Sequence, residues 1–257
     1  MVKPLTTEQR IRLVEIRRET GYGAVRLQAV MREGIPQWPP DWPVPTHQRI
    51  NDVFREAGLI REGTKRGKKP AYIRFERDHS NSLWQTDWHW LAPEEEWLIV
   101  YIDDHSRFVP GAGSFDEPTT ANSLRVFEAA TKRFGFPGQV LSDHGSQFTG
   151  TNPNAVRHKF PERLAELGTE HIMGQVKKPT TTGKIERFFF TYEDELRRFP
   201  DLETRIHHYN FERHHQSLGY KLPAVIFGQD LPQETPNRDE VLAALTNQLP
   251  SWATGGK

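Results

Sequence analysis

Apolar positions recur first at helical spacing, then in strict alternation, then at helical spacing again. Near the N-terminus Ile11, Leu13 and Val14 supply the stripe of a first helix. Thr6-Thr7-Glu8-Gln9 supplies its start, with Thr6 as cap and Gln9 at the third helical position. A second helix is predicted after Gly23, with Leu27, Val30 and Met31 on one face. Pro36 to Pro45 carries five prolines and predicts an extended interruption. Thr46 then caps a third helix bearing Ile50, Val53, Phe54 and Ala57, which Gly58 ends. This order, helix, helix, break, helix, predicts either a plain three-helix domain or a helix-turn-helix unit. In the second case its recognition helix offers His47, Gln48, Arg49 and Asn51 to a DNA groove.

From residue 83 the period changes. Trp84, Thr86, Trp88 and Trp90 alternate with Gln85, Asp87 and His89, which predicts a strand with Asp87 on the face away from the tryptophans. Further strands are predicted over 97–102 and 107–115, an antiparallel meander joined by short connections. A helix follows from Thr119 or Thr120 to Phe134, then a short strand over 139–142, a helix over 154–167 and a fifth strand over 170–173. Beyond the loop 174–183, Ile185, Phe188, Phe189, Tyr192, Leu196 and Phe199 mark a long amphipathic helix. The pattern is that of an α/β sheet with helices packed on it.

Composition sharpens this picture. The 257 residues suit one large domain or two unequal ones, and no apolar run approaches a membrane span. There is no cysteine, so disulfides and thiolate ligands are excluded. The net charge of zero conceals an asymmetry: residues 1–80 hold 16 basic against 10 acidic groups, and the remainder 18 against 24. A basic leading segment ahead of an acidic body suits a nucleic-acid-binding module joined to a metal-binding one. Lys65, Arg66, Lys68 and Lys69 form a basic link able to track phosphates.

Three acids stand in unusual settings: Asp87 within a strand, Asp143 at the end of another, and Glu186 opening a helix. Carboxylates drawn together repel by about 4 kcal/mol at 4 Å and an effective dielectric near 20, so such a set calls for a cation. Oxygen ligands suit Mg²⁺, and a pair of such ions supports in-line phosphoryl transfer. Lys177, Lys178 and Lys184 are candidate phosphate contacts beside the acids, and Gln147 a candidate DNA-positioning group. Trp38 and Trp42 are expected to pack on the helical module rather than stack on bases.

Trp84-Gln85-Thr86-Asp87, Asp103-Asp104-His105-Ser106-Arg107, Ser142-Asp143-His144-Gly145-Ser146-Gln147-Phe148 and Thr182-Gly183-Lys184-Ile185-Glu186-Arg187-Phe188 resemble the integrase-type DDE catalytic core. Retroviral integrases and many bacterial insertion-sequence transposases share that core. Tyr209-Asn210 to Pro223-Ala224 is similar to the segment that follows it in the bacterial members, and Tyr22 to Leu59 to their second helix-turn-helix. The resemblance implies a ribonuclease-H-like mixed five-stranded sheet flanked by helices, behind a small all-α domain. The expected boundaries are 1–64 for the helix-turn-helix domain, 65–79 for the linker, 80–200 for the core and 201–257 for a C-terminal helical segment and tail.

It also implies that Asp87, Asp143 and Glu186 are catalytic and hold two Mg²⁺ or Mn²⁺ ions. The expected activity is cleavage of double-stranded DNA at transposon ends and transfer to target DNA by a homo-oligomer, cytoplasmic and nucleoid-associated. The alternatives are a catalytically silent DNA-binding relative and a ribonuclease-H-type nuclease. This chain departs from the family at His144, where Asn is usual, in the longer spacing between Asp143 and Glu186, and at Phe190 and Glu193, where basic residues are frequent.

Overall fold

The computed structural model describes residues 4–60, 76–149, 159–174 and 183–254. Lys65, Arg66, Lys68, Lys69, Lys177 and Lys178 lie outside them. The chain divides into two compact units, residues 1–71 with 214–221 and 251–257, and residues 72–213 with 222–250.

In the first unit, α1 (Thr7–Thr20) opens with the reciprocal Thr6–Gln9 capping box and stops at Gly21, whose φ of 72° suits a residue without Cβ. The next helix, α2 (Ala24–Arg32), follows Gly23, and Thr46 caps α3 (His47–Glu56). Leu13, Ile16, Leu27, Val30, Ile50 and Phe54 close the core between them. The proline segment is not wholly extended. It turns through residues 36–42 and only then straightens. The turns carry Trp38 inward, edge-on to Trp42, and the Gln28 amide donates to Pro45 O at 2.8 Å.

The second unit holds a five-stranded sheet of order β3-β2-β1-β4-β5. The strands are β1 (Leu83–Leu91), β2 (Glu96–Asp103), β3 (Gly111–Phe115), β4 (Gln139–Ser142) and β5 (Glu170–Met173). Strands β1 to β3 run antiparallel, while β4 lies parallel to β1 and β5 parallel to β4. This mixed sheet, flanked by helices, is ribonuclease-H-like. One face, with Trp84, Trp88, Ile99 and Tyr101, packs on α4 (Thr120–Phe134) and α6 (Lys159–Glu166). The other, with Leu98, Val100 and Ile102, packs on α7 (Gly183–Asp194) and α8 (Leu202–Phe211) through Ile185, Phe188, Tyr192 and Tyr209. The short α5 (Ser146–Thr149) follows β4.

The third strand begins later than the apolar run suggests. Arg107 has φ 64°, Asp103 N donates to Phe108 O, and Phe108 and Val109 are buried in a turn rather than in the ladder. On α8, Asn210 supplies the polar partners this turn lacks: its carbonyl accepts from Val109 N and its amide donates to Val109 O, at 2.8 and 2.9 Å. The expected C-terminal segment from 201 does not stand apart. Phe211, Phe227 and Leu231 join Phe108 and Phe134 in a core shared with α9 (Pro223–Gln229) and α10 (Arg238–Thr246), so these helices complete the second unit. Among the described residues no helix is long and apolar enough to cross a membrane.

Candidate active site

Alternation along β1 sends Trp84 and Trp88 to the α4 face and Gln85, Asp87 and His89 to the α7 face. Parallel pairing sets Gln85 beside Leu141, and two residues further along each chain stand Asp87 and Asp143. Asp143 lies just past β4, where its Oδ1 accepts from Gly145 N at 2.9 Å in a local turn. That loop is pinned again where the His144 ring Nε2 meets Gly174 O at 2.8 Å. Glu186 sits exposed in the first turn of α7. His89 ties the same helix to β1 further along, stacking on Phe189 with centroids 4.6 Å apart and reaching Glu193 Oε1 at 2.8 Å.

The electrostatics join the three acids. Burial pushes the Asp87 carboxyl up to about 6, the negative charges of Asp143 and Glu186 push the same way, and a hydrogen bond from Trp88 N and the nearby His89 oppose them. Among the described residues neither Asp87 nor Asp143 has an ion-pair partner. Hard oxygen donors of this kind suit a divalent cation, which makes Asp87, Asp143 and Glu186 candidates to hold one. Asp87 feels the charge of both other acids, and no group of three ligating side chains stands ready-made among the described residues.

The other candidates divide. The Lys184 ammonium is turned inward, bonded to Asp104 O at 2.9 Å and to Asp104 Oδ1 at 2.5 Å, and burial foremost, with Arg107 nearby, pushes it down to about 8. A phosphate contact from Lys184 would have to compete with that carboxylate. Gln147 folds its side chain over Gly145, where an added Cβ would lie 2.3 Å from its Nε2. On the first unit's α3, Gln48 is exposed and His47, Arg49 and Asn51 are half-buried. Asp103 is fully buried and taken up by Asn81 N, Ser106 N and Ser106 Oγ, so it builds the turn after β2. Arg107 pairs with Glu76 at 2.5 Å rather than with the neighbouring aspartates. Asp104 has no local sequence signal beyond the adjacent Asp-Asp pair, because its partners Gln85, Arg77 and Lys184 lie 19 to 80 residues away.

Residues 77–179 match the family model described as Integrase core domain, and residues 167–223 match a second model of the same description. The chain is 30% identical over 135 residues to the transposase for transposon Tn552 of Staphylococcus aureus, covering 45% of this chain and 26% of that protein. It is 26% identical over 181 residues to the putative integrase ORF3 of Spiroplasma virus SpV1-C74, covering 60% and 49%. It is 25% identical over 251 residues to the uncharacterized 39.2 kDa protein of insertion element IS476 of Xanthomonas euvesicatoria, covering 91% and 68%. It thus spans only part of the first two relatives. Similar solved structures include the HTLV-2 integrase catalytic core domain in complex with magnesium (18% identity, TM-score 0.47, 57% of this chain and 96% of that one). The BIV integrase catalytic core domain is another (21%, 0.48, 58% and 95%).

Proposed function

We propose that this chain, whose residues 77–179 and 167–223 match integrase core domain models, is a DDE transposase acting on double-stranded DNA with two divalent cations. The observation that carries the reading is the electrostatic coupling of Asp87 to both Asp143 and Glu186. Asp87 would serve both Mg²⁺ or Mn²⁺ ions, and Asp143 and Glu186 would each hold one. When bound, the cations supply the charge that activates an attacking oxygen and stabilises the leaving oxygen of an in-line displacement at phosphorus. The residues of this chain do the rest. The β1–β4 pairing fixes two of the acids on neighbouring strands, α7 carries the third over them, and α3 with the basic link holds the duplex in register. The products are a cut transposon end and its joining to target DNA, and a homo-oligomer holds two ends together.

The test is a terminal-repeat duplex incubated with the protein and Mg²⁺ or Mn²⁺. Nicking at the repeat boundary is expected, and Asp87→Asn is expected to lower it by about a thousandfold while leaving duplex affinity unchanged. An Asp87→Asn protein that still nicks overturns the assignment.

One observation favours a second reading, a catalytically silent DNA-binding relative. Beyond Glu186, α7 presents an exposed Phe190, and its Glu193 is engaged by His89 and Arg197. Metal-dependent nicking by the wild-type chain excludes it.

A further inference from the structure

Glu186 depends for its position on the start of α7. Two residues before it, Lys184 buries its ammonium against Asp104, bonding both the carbonyl and Oδ1. Asp104 follows β2 with its carboxylate almost fully enclosed, 2% exposed. The same Oδ1 accepts from the Gln85 amide at 2.8 Å, and Gln85 stands two residues before Asp87 on the α7 face of β1. Oδ2 accepts from Arg77 N at 2.9 Å, and the backbone N of Asp104 donates to Leu83 O at 2.9 Å. One buried carboxylate therefore grips the strand of Asp87 and the helix of Glu186, each two residues from its acid.

We propose that Asp104, acting through Lys184 and Gln85, is a positioning residue that sets the separation of Asp87 and Glu186 and so pre-forms the cation site. This rests on the reading of the three acids as metal holders. The His89 contacts with Phe189 and Glu193 anchor α7 further on, and its first turn is held by the buried Ile185 and by the Lys184–Asp104 pair. The competing roles are a phosphate contact from Lys184 and a buried pair that serves stability alone.

The test compares wild type, Lys184→Met and Lys184→Arg in the full chain. Mn²⁺ affinity is measured by calorimetry, hydrogen exchange of the first α7 turn without metal, and nicking as separate kcat and KM. In Lys184→Met, Mn²⁺ binding is expected to weaken about tenfold, exchange at Ile185–Phe188 to quicken, and kcat to fall about tenfold with KM unchanged. Lys184→Arg is expected to recover most of each loss. Unchanged Mn²⁺ affinity and kcat in a folded Lys184→Met protein overturns the proposal. A loss confined to KM does so too, and assigns Lys184 to phosphate.

Should Lys184→Met fail to fold, the double variant Asp104→Leu/Lys184→Leu replaces the pair with apolar groups and takes the same readings. Failure of that variant to fold overturns the proposal in favour of a purely structural pair. Wild-type protein that binds Mn²⁺ and cuts no duplex sinks the transposase reading and leaves the positioning role to be judged on Mn²⁺ affinity and exchange.

Discussion

At neutral pH Asp87 weakens the fold that carries it. Its carboxyl is held up near about 6, above the ordinary 3.8, so its contribution to stability is full below pH 4 and is lost as pH rises through 6. At neutral pH the loss amounts to about 3 kcal/mol. Asp87→Asn is therefore expected to stabilise the metal-free protein at pH 7.5 by roughly 1–3 kcal/mol, a gain that fades toward pH 4.5. Urea titrations at the two pH values check this, and equal differences at both refute it. Mn²⁺ is expected to raise the midpoint of wild type and not of the variant.

The candidacy of the three acids was legible because each stands in a local sequence unlike its surroundings, such as Asp87 inside an alternating tryptophan strand. The role of Asp104 was not, because Lys184 lies 80 residues away and neither residue breaks its local pattern. Lys184 accordingly read as a surface cation, whereas its ammonium is buried against a carboxylate.

At the scale of elements, strand and helix types followed from periodicity, and the misjudged edges have physical causes. Phe108 and Val109 looked like the start of β3 because they are apolar. They are buried by α8 and α9 instead, and the positive φ of Arg107 and the Asp103 hydrogen bonds form a turn there. The glycines of β3 answer to a neighbour that no local pattern reveals. A Cβ on Gly111 would lie 2.9 Å from the Ala130 Cβ, a stiff contact on α4. Gly111→Val is expected to cost about 1–3 kcal/mol through overpacking, read from the shift in urea midpoint. Gly23→Ser, at a helix cap with open space and φ −69°, is expected to change stability by only a few tenths of a kcal/mol or to raise it. Comparable losses at both sites would refute the close α4–β3 packing as the cause.

For the molecule as a whole, the uneven charge translates into a salt test. Replacing Lys65, Arg66, Lys68 and Lys69 by Gln is expected to reduce the slope of log affinity against log salt by up to about 3–4, equally on all duplexes. Gln48→Ala is expected to leave that slope alone and to relax preference for the repeat by about 1–3 kcal/mol. Identical behaviour of the two variants would remove α3 as the reading helix. Helices α8 to α10 carry few strongly patterned faces of their own, so the core they share with Phe108 and Phe134 is hard to read locally. Their apolar residues match partners more than seventy residues upstream, as Phe227 does Phe108 and Phe134.

The Asn210–Val109 pairing also imposes a timetable. The amide that satisfies the backbone beside β3 is synthesised 101 residues after that backbone. At about 5–20 residues per second, the ribosome needs roughly 5 to 20 s to reach it. During that interval the nascent sheet border keeps a raw donor and acceptor, open to chaperones or to misassembly with neighbouring polysomal chains. Closure of the β3 border is thus timed by the emergence of α8.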